Sequence, residues 1–549
     1  MYLRAFRVEN FRGIVFASLS FDKTTVLIGE NDCGKSSILE ALAIALGVGA
    51  DGHAFAFDRH HAHLDGDDPA PVRIALTLEE DAPGQWNSTL PRKLKLWTTR
   101  WSAPRTLYVE VQAAWAGPGD EPIVTWGART RRDGPLLCVN SPELIQWVRR
   151  ISPLLWLRGG IVSSTPEPRN GPPIHSGNVE IDQMIDAVEE HYRSVVAGTS
   201  SDLSAELEKG FAAARSLLEQ SGGTVTGAWG RLGPALEEIT GRQRVPSAST
   251  PGPPRYHGGA AQKIGLLLLV GAVLRSGYLV APGTAPVILI EDPEAHLHPM
   301  TLASVWGILE QIRWQKIVAT HSGTLLSGAP LSSIRRLLRE KGVVLEFSVP
   351  HGKLSSEELR RWSYHIRSRR ASAMFARCWL LVEGETEFWL LPELARILGY
   401  DLAVEGVTCV EFAQSGLTAL IKVAQNLGIE WHLLSDGDEA GQHYRDMARP
   451  FFDPEDQPRR VTVLAERDIE HCFYQHGFAH IYRKAAFPNA KAPSKGSPKA
   501  TILQAVGRTS KPYLALQILE AVADAGPGRV PSVLRRAIET AIDLARHST

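Results

Sequence analysis

The sequence predicts an α/β protein built of two units, and three observations carry that expectation. An apolar strand at 25–28 runs into a glycine-rich turn and then an apolar helix at 36–46, the alternation of a strand–loop–helix unit. A second series of apolar strands, at 378–383, 407–412 and 432–436, follows residue 377 with helical segments between its members. The chain has 549 residues, more than one hydrophobic core usually organises.

Composition narrows the class. The 44% hydrophobic and 22% charged fractions are those of an ordinary globular chain and exclude a disordered or fibrous one. The net charge of -1 gives no global attraction to a polyanion, so any nucleic-acid contact needs local basic patches or metal ions. The cysteines at 33, 138, 378, 409 and 472 form no CxxC pair, which argues against a disulfide framework and for a reducing cytoplasm. The opening MYLRAFRVENFRG lacks the apolar core of a signal peptide, and the longest apolar stretch, 264–274, is too short to cross a membrane.

Along the chain, the first segment alternates as a strand (Leu3, Phe6, Val8), and 72–78 and 107–111 read as further strands. Proline- and glycine-rich stretches at 164–177 and 245–259 bracket a segment with helical apolar spacing (Ile181, Met184, Ile185, Val188). That pattern predicts a helical insertion between two halves of one domain. Strand signals resume at 287–290 and 317–319, and an arginine-rich run at 335–377 leads into the second unit. The expected organisation is 1–165, an insertion at 166–256, 257–350, a linker at 351–374 and a second domain at 375–549.

Residues 29–36, GENDCGKS, match GxxxxGK[ST] in full, with the strand before and the helix after that the motif requires. Such a loop wraps backbone N–H groups around phosphate oxygens, and the helix N-terminus adds its dipole. Lys35 would reach the β- and γ-phosphates and Ser36 would ligate Mg²⁺, with Asn31, Gly34 and Ser37 lining the loop. The strand VILI ends in Glu291 and Asp292, so that one acid can hold Mg²⁺ through water while Asp292 orients the attacking water. His321, at the end of another apolar strand, could sense the γ-phosphate.

The last third carries Glu383 and Glu387 in EGETE, Asp436 and Asp438 in DGD, and Asp468 and Glu470 in DIE. Acids at adjacent strand ends repel one another unless hard cations sit between them. Two Mg²⁺ or Mn²⁺ ions at ~3.5–4 Å separation would suit hydrolysis of a phosphodiester. The stretch 360–370 mixes arginines with Trp362 and Tyr364. It reads equally as a nucleic-acid groove with stacking aromatics or as a helix whose aromatics pack on the core.

NFRGI at 10–14, the phosphate loop, EDPEAHLHP at 291–299 and THS at 320–322 together resemble the ABC ATPases related to RecF and SMC proteins. The resemblance implies two ATPs held between two protomers, each capped by a signature segment matching 256–262, with Gly258 and Gly259 in it. This chain has His257 where that family has serine, and it runs Glu-Asp where the usual order is Asp-Glu, which implies slow turnover. VEGETE followed by SDGDEAG resembles Toprim domains, and the whole arrangement is similar to the OLD (overcoming lysogenisation defect) nucleases.

By that resemblance the six acids hold or activate metal-bound water, with Glu383 central to catalysis. Ser415 lies near the second metal, and Lys511 steadies transition-state charge. The implied protein is a cytoplasmic homodimer or tetramer, an ATP-regulated nuclease acting on DNA in repair or anti-phage defence. RNA or tRNA as substrate, and a non-cleaving clamp, remain the alternatives.

Overall fold

Strict alternation in VRIALTLE buries Val72, Ile74, Leu76 and Leu78 on one face of a strand, the pattern of a sheet covered on one side. In VILIE and QKIVA every residue but the last glutamate is buried, the pattern of strands covered on both sides. Both kinds occur in one sheet. The computed structural model describes residues 2–46, most of 57–158, 287–294, 302, 306, 314–363 and 371–548 apart from 414 and 489–496. Two units are resolved within it, Met1–Glu346 and Phe347–Thr549. The insertion expected at 166–256, the 256–262 segment and Tyr364 lie outside the described residues.

The first unit contains β1 (Tyr2–Phe11), β2 (Ile14–Ser20), β3 (Thr24–Gly29), a short pair β4 (Leu64–Asp65) and β5 (Asp68–Pro69), β6 (Val72–Glu79), β7 (Thr106–Ala114) and β8 (Ile123–Arg129). After these come β9 (Leu154–Arg158), β10 (Val287–Glu291), β11 (Gln315–Ala319), β12 (Ile334–Glu340) and β13 (Val343–Phe347). The large sheet runs β8-β7-β6-β1-β2-β13-β12-β3-β11-β10-β9. Strands β8, β7, β6, β1 and β2 are antiparallel neighbours, whereas β12, β3, β11, β10 and β9 are parallel. Helix α1 (Lys35–Leu46) follows β3 and buries Ile38, Leu39, Leu42 and Ile44 in the core beneath it.

In the second unit, β14 (Cys378–Val382), β15 (Val407–Glu411), β16 (Glu430–Ser435) and β17 (Val461–Val463) form a wholly parallel sheet in the order β15-β14-β16-β17. Parallel strands all end on the same edge, and that edge receives the turns into the helices. Helix α2 (Ser356–Trp362) precedes the sheet. Then come α3 (Glu385–Ile397), α4 (Leu417–Asn426), α5 (Glu439–Ala448), α6 (Ile469–Phe473), α7 (Lys511–Ala525) and α8 (Ser532–Arg546). Leu534, Ala537, Ile538, Ala541 and Ile542 at helical spacing place α8 in the core of this unit.

The unit boundary falls before the expected linker at 351–374, and the described part of that stretch packs on the second unit. Ser355 and Glu358 form a capping box that starts α2. Glu358 Oε1 lies 2.8 Å from Lys422 Nζ. Trp362 is 1% exposed, its ring stacked on Trp379 at 6.1 Å between centroids. Of the two sequence readings for Trp362, base stacking is therefore overturned: the indole is already spent on the core. Arg360 and Arg361 both pair with Glu357 at the surface.

Replacing Trp362 tests this packing. Trp362→Ala is expected to destabilise the second unit by ~3–5 kcal/mol, whereas Trp362→Phe, which keeps an aromatic ring against Trp379, costs clearly less. Urea unfolding of the two variants measures the difference; equal stability of Trp362→Ala and the parent would contradict the placement.

Candidate functional site

Among the described residues, the motif side chains of each unit come together at the ends of its parallel strands. In the first, the chain leaves β3 and enters α1 through Gly34, whose φ of 99° is a conformation that side chains resist. A Cβ there would also press on Ile14 Cδ1 at 3.1 Å. Lys35 is 6% exposed, and its ammonium donates to Gly29 O at 3.0 Å and Glu30 O at 2.8 Å. Neutral carbonyls leave that positive charge uncompensated, ready for an anion entering the loop. Asn31 and Ser36 are exposed, and Ser37 is half-buried in the first turn of the helix.

Strand β11 lies between β3 and β10, so Thr320 and His321 stand nearer the phosphate loop in the sheet than Glu291 and Asp292 do. Asp292 is nonetheless coupled to it. Its backbone has φ 45°, and its N–H donates to Ala319 O at 2.9 Å. Burial, then Glu294 and Glu291, raise its carboxyl above the usual range against the pull of His321 and Lys35. Burial and then Lys35 hold His321 below the ordinary imidazole value. Sequence reasoning missed Glu294, which accepts from Thr320 Oγ1 at 2.8 Å and His321 N at 2.5 Å and ties the ends of β10 and β11 together. Its only sequence signal is its place as the third acid of EDPE. Gly258 and Gly259 lie outside the described residues.

In the second unit the acids come off the shared edge. Glu383 follows β14, and Glu387 accepts from Gly384 N at 3.1 Å at the start of α3. Asp436 and Asp438 follow β16, and Asp438 caps α5 by accepting from Gly441 N at 2.9 Å. The turn is so tight that a Cβ on Gly441 would lie 1.9 Å from Asp436 O. Asp468 caps α6 through His471 N at 2.9 Å and lies 2.6 Å from His471 Nδ1. Glu470 sits 2.9 Å from Lys511 Nζ, at the start of α7.

Electrostatics shows that these groups face one another. Burial, then Glu387, Glu383, Asp468 and Asp438, push Asp436 up to about 8. Burial and Asp438 raise Glu383, and burial, together with Glu470 against opposing backbone hydrogen bonds, raises Glu387. For Lys511, burial opposes the charge, but Glu470, Glu387 and Asp468 outweigh it and hold the ammonium above its ordinary value. Glu383 Oε2 is buried without a hydrogen-bond partner. Ser415 is buried in the turn between β15 and α4, and none of these contacts reaches it.

Two tyrosines missed by motif reading line the cluster. Burial, then Glu383 and Asp438, raise the Tyr444 hydroxyl, and burial, then Glu470 and Asp468, raise that of Tyr482. Neither stands at a motif spacing. Burial, then Glu466 and Asp436, push the Cys472 thiol up to about 12, which excludes it as a free nucleophile at neutral pH.

Residues 1–221 and 255–373 match the family described as protein of unknown function (DUF2813). Residues 374–438 match the overcoming lysogenization defect protein-like TOPRIM domain. The chain is 33% identical over 571 residues to the uncharacterized protein YbjD of Escherichia coli (strain K12), covering 100% of this chain and 99% of that one. It is 29% identical over 165 residues to the Old nuclease of Escherichia phage P2, 28% of each chain. Among solved structures, the C-terminal region of the Xanthomonas campestris pv. campestris OLD protein matches at 18% identity and TM-score 0.27, over 31% of this chain and 94% of that one. The SMC head domain from Thermotoga maritima matches at 13% identity and TM-score 0.32, over 64% and 100%.

The crowding of Asp436 has a measurable consequence in chelator. Its folded pKa is raised, so the folded unit keeps a proton that the unfolded chain releases near pH 4. The stability this contributes is present in acid and is lost as pH rises through about 8. Asp436→Asn removes the charge without removing the shape. The variant is expected to be more stable than the parent above pH ~8, by at least about 1 kcal/mol, with the advantage vanishing near pH ~4. Denaturant titrations across this range measure it, and a less stable variant at high pH would refute the reading.

Proposed function

The chain belongs to the DUF2813 family, with an OLD-like Toprim match at residues 374–438; we propose that it is an ATP-regulated, divalent-metal-dependent nuclease acting on DNA, with an ABC-type ATPase region ahead of the Toprim domain. The single observation that carries the proposal is the displacement of Asp436 to about 8 by burial and by four other carboxylates. Acids converging on one sheet edge, with Glu383 Oε2 buried and unpartnered beside them, form a site that divalent cations would neutralise.

The donor set fits Mg²⁺ or Mn²⁺. It is made of carboxylate oxygens, and Glu383 Oε2 is buried with no partner of its own. Glu383, Glu387, Asp436 and Asp438 would hold one ion, and Asp468, Glu470 and Ser415 are the candidates for a second. Such ions supply an activated water and charge stabilisation at a phosphodiester. Glu383, raised above its ordinary value by burial and Asp438, would be the group that exchanges a proton with that water. Lys511, kept charged by Glu470, Glu387 and Asp468, would counter the negative charge that grows on the phosphate. Water attack with departure of the 3′-oxygen leaves 5′-phosphate and 3′-hydroxyl ends.

In the ATPase region, Lys35 would exchange the carbonyls of Gly29 and Glu30 for the nucleotide's phosphates. Asn31, Gly34 and Ser37 would line the loop, and Ser36 and Glu291 would hold the accompanying Mg²⁺. Asp292, raised and half-buried beside the loop, is the base for the attacking water, and His321 contacts the γ-phosphate. The signature at 256–262, Gly258 and Gly259 included, would close the site from a second protomer, making the protein a homodimer or a tetramer. Nucleotide then shifts a conformational equilibrium and contributes nothing to the chemical step.

Plasmid, linear duplex, single-stranded DNA and tRNA, each with Mg²⁺ or Mn²⁺ and with or without ATP, test the proposal. Glu383→Ala and Asp436→Ala are each expected to lose cleavage by at least about 10²-fold while ATP hydrolysis stays within about twofold. A non-hydrolysable ATP analogue should reproduce the effect of ATP on cleavage. Near-parental cleavage by either variant overturns the assignment, cleavage confined to tRNA overturns DNA as substrate, and cleavage that tracks hydrolysis rate overturns the switch.

A further inference from the structure

Glu466, Cys472 and His476 lie beside the acidic cluster, and none of them is among the six acids. One ligand atom from each falls within 4.8 Å of the other two. Cys472 Sγ is 3.7 Å from His476 Nδ1, and that nitrogen is 4.0 Å from Glu466 Oε1. In tetrahedral zinc coordination, bond lengths of ~2.3 Å to sulfur and ~2.0 Å to nitrogen put those two atoms about 3.5 Å apart. The three side chains therefore need to move only a little to share an ion.

One further feature points to an occupant, and the backbone accommodates it. Glu466 Oε2 is buried with no hydrogen-bond partner by geometry, while the Cys472 thiol and the His476 ring face the same carboxylate, so replacing the thiol proton by a cation would serve all three groups. Cys472 and His476 also stand four residues apart, one turn along the same helical face, and the helix breaks immediately after them. His476 has φ -83° and ψ 22°, Gly477 has φ 103°, and His476 Nδ1 ends 2.8 Å from Cys472 O. On metal binding, that hydrogen bond is exchanged for coordination. Cys472 is fully buried, whereas His476 is exposed and gives an ion its way in.

We propose that Glu466, Cys472 and His476 form a site for a zinc-class divalent ion, with a fourth position open to water. A thiolate and a carboxylate together neutralise the dication, as a largely buried site requires. Sulfur and imidazole nitrogen separate it from the all-oxygen cluster next door, which favours magnesium or manganese. Glu466 and Cys472 bracket Asp468 and Glu470 in sequence, and Glu466 O accepts from Gly437 N at 3.1 Å. The ion therefore braces the turn that presents two of the acids, whatever reaction those acids perform.

Cobalt(II) is the probe, because a thiolate ligand gives it a near-ultraviolet charge-transfer band that oxygen ligands do not. The reduced full-length protein, titrated with Co²⁺ in excess Mg²⁺, is expected to show one such band per chain, abolished by Zn²⁺ but not by more Mg²⁺. Cys472→Ser should lose the band. His476→Ala, at an exposed position where folding is not at stake, should weaken Co²⁺ binding by at least about tenfold, the lower end of what even outer-sphere partners contribute. Zn²⁺ should raise the melting temperature of the parent but not of Cys472→Ser. Absence of the band at saturating Co²⁺, its persistence in Cys472→Ser, or unchanged affinity in His476→Ala would each overturn the site.

Discussion

Like charges gathered at one edge of a parallel sheet are the condition that shapes the second unit. Strands β14 and β16 are neighbours of the same polarity, so the residues that follow them, Glu383, Asp436 and Asp438, emerge side by side. A third connection, after β17, adds Asp468 and Glu470. The fold offsets part of the repulsion with backbone donors. Gly384 N, Gly441 N and His471 N each face one of these carboxylates at the first turn of a helix, where the helix dipole also favours negative charge. Lys511 adds one full positive charge through Glu470. What is left over contributes, after burial itself, to the raised carboxyl of Asp436.

The first unit applies the same geometry to the opposite problem. There the strand ends present a cation, Lys35, held by two carbonyls that cannot neutralise it. The acids are kept one strand away: β11 separates β3 from β10, and Glu294 anchors the end of β10 to Thr320 and His321. An anion entering the loop meets the ammonium and the helix N-terminus first, with Asp292 near enough to feel Lys35 but not paired with it. Both units thus leave charge uncompensated where the parallel strands end, positive in one and mainly negative in the other. The proposed function would use both, meeting phosphates directly in one place and through cations in the other.

Much of this was legible in the sequence, because the motifs depend on local geometry. GENDCGKS needs only a strand, a turn and a helix, and the chain supplies β3 and α1 at the expected positions. The six acids could be picked out because each follows an apolar strand or opens a helix. Their coupling was also foreseeable, since acids leaving neighbouring parallel strands have nowhere else to go. Ser415 was legible as a residue in a turn, but its side chain is buried there, and spacing says nothing about which way a buried serine faces.

Contacts between residues far apart in sequence, or displayed by an irregular turn, were decided by the tertiary structure alone. Trp362 in an arginine-rich stretch reads equally as a surface stacker or a core residue, and only the arrival of Trp379 from β14 settles it. Tyr444 and Tyr482 join the acids because α5 and the 479–486 helix pack where they do, and no periodicity marks them. Cys472 and His476 share a helical face at a spacing of four, but Glu466 joins them from the preceding loop only because of how that turn packs. Sequence determined which chemical groups the chain carries and which strand ends deliver them, since those follow from local backbone preferences. Which groups are desolvated, and which charges are left facing one another, depended on packing, because burial and Coulomb energy are properties of three-dimensional neighbours.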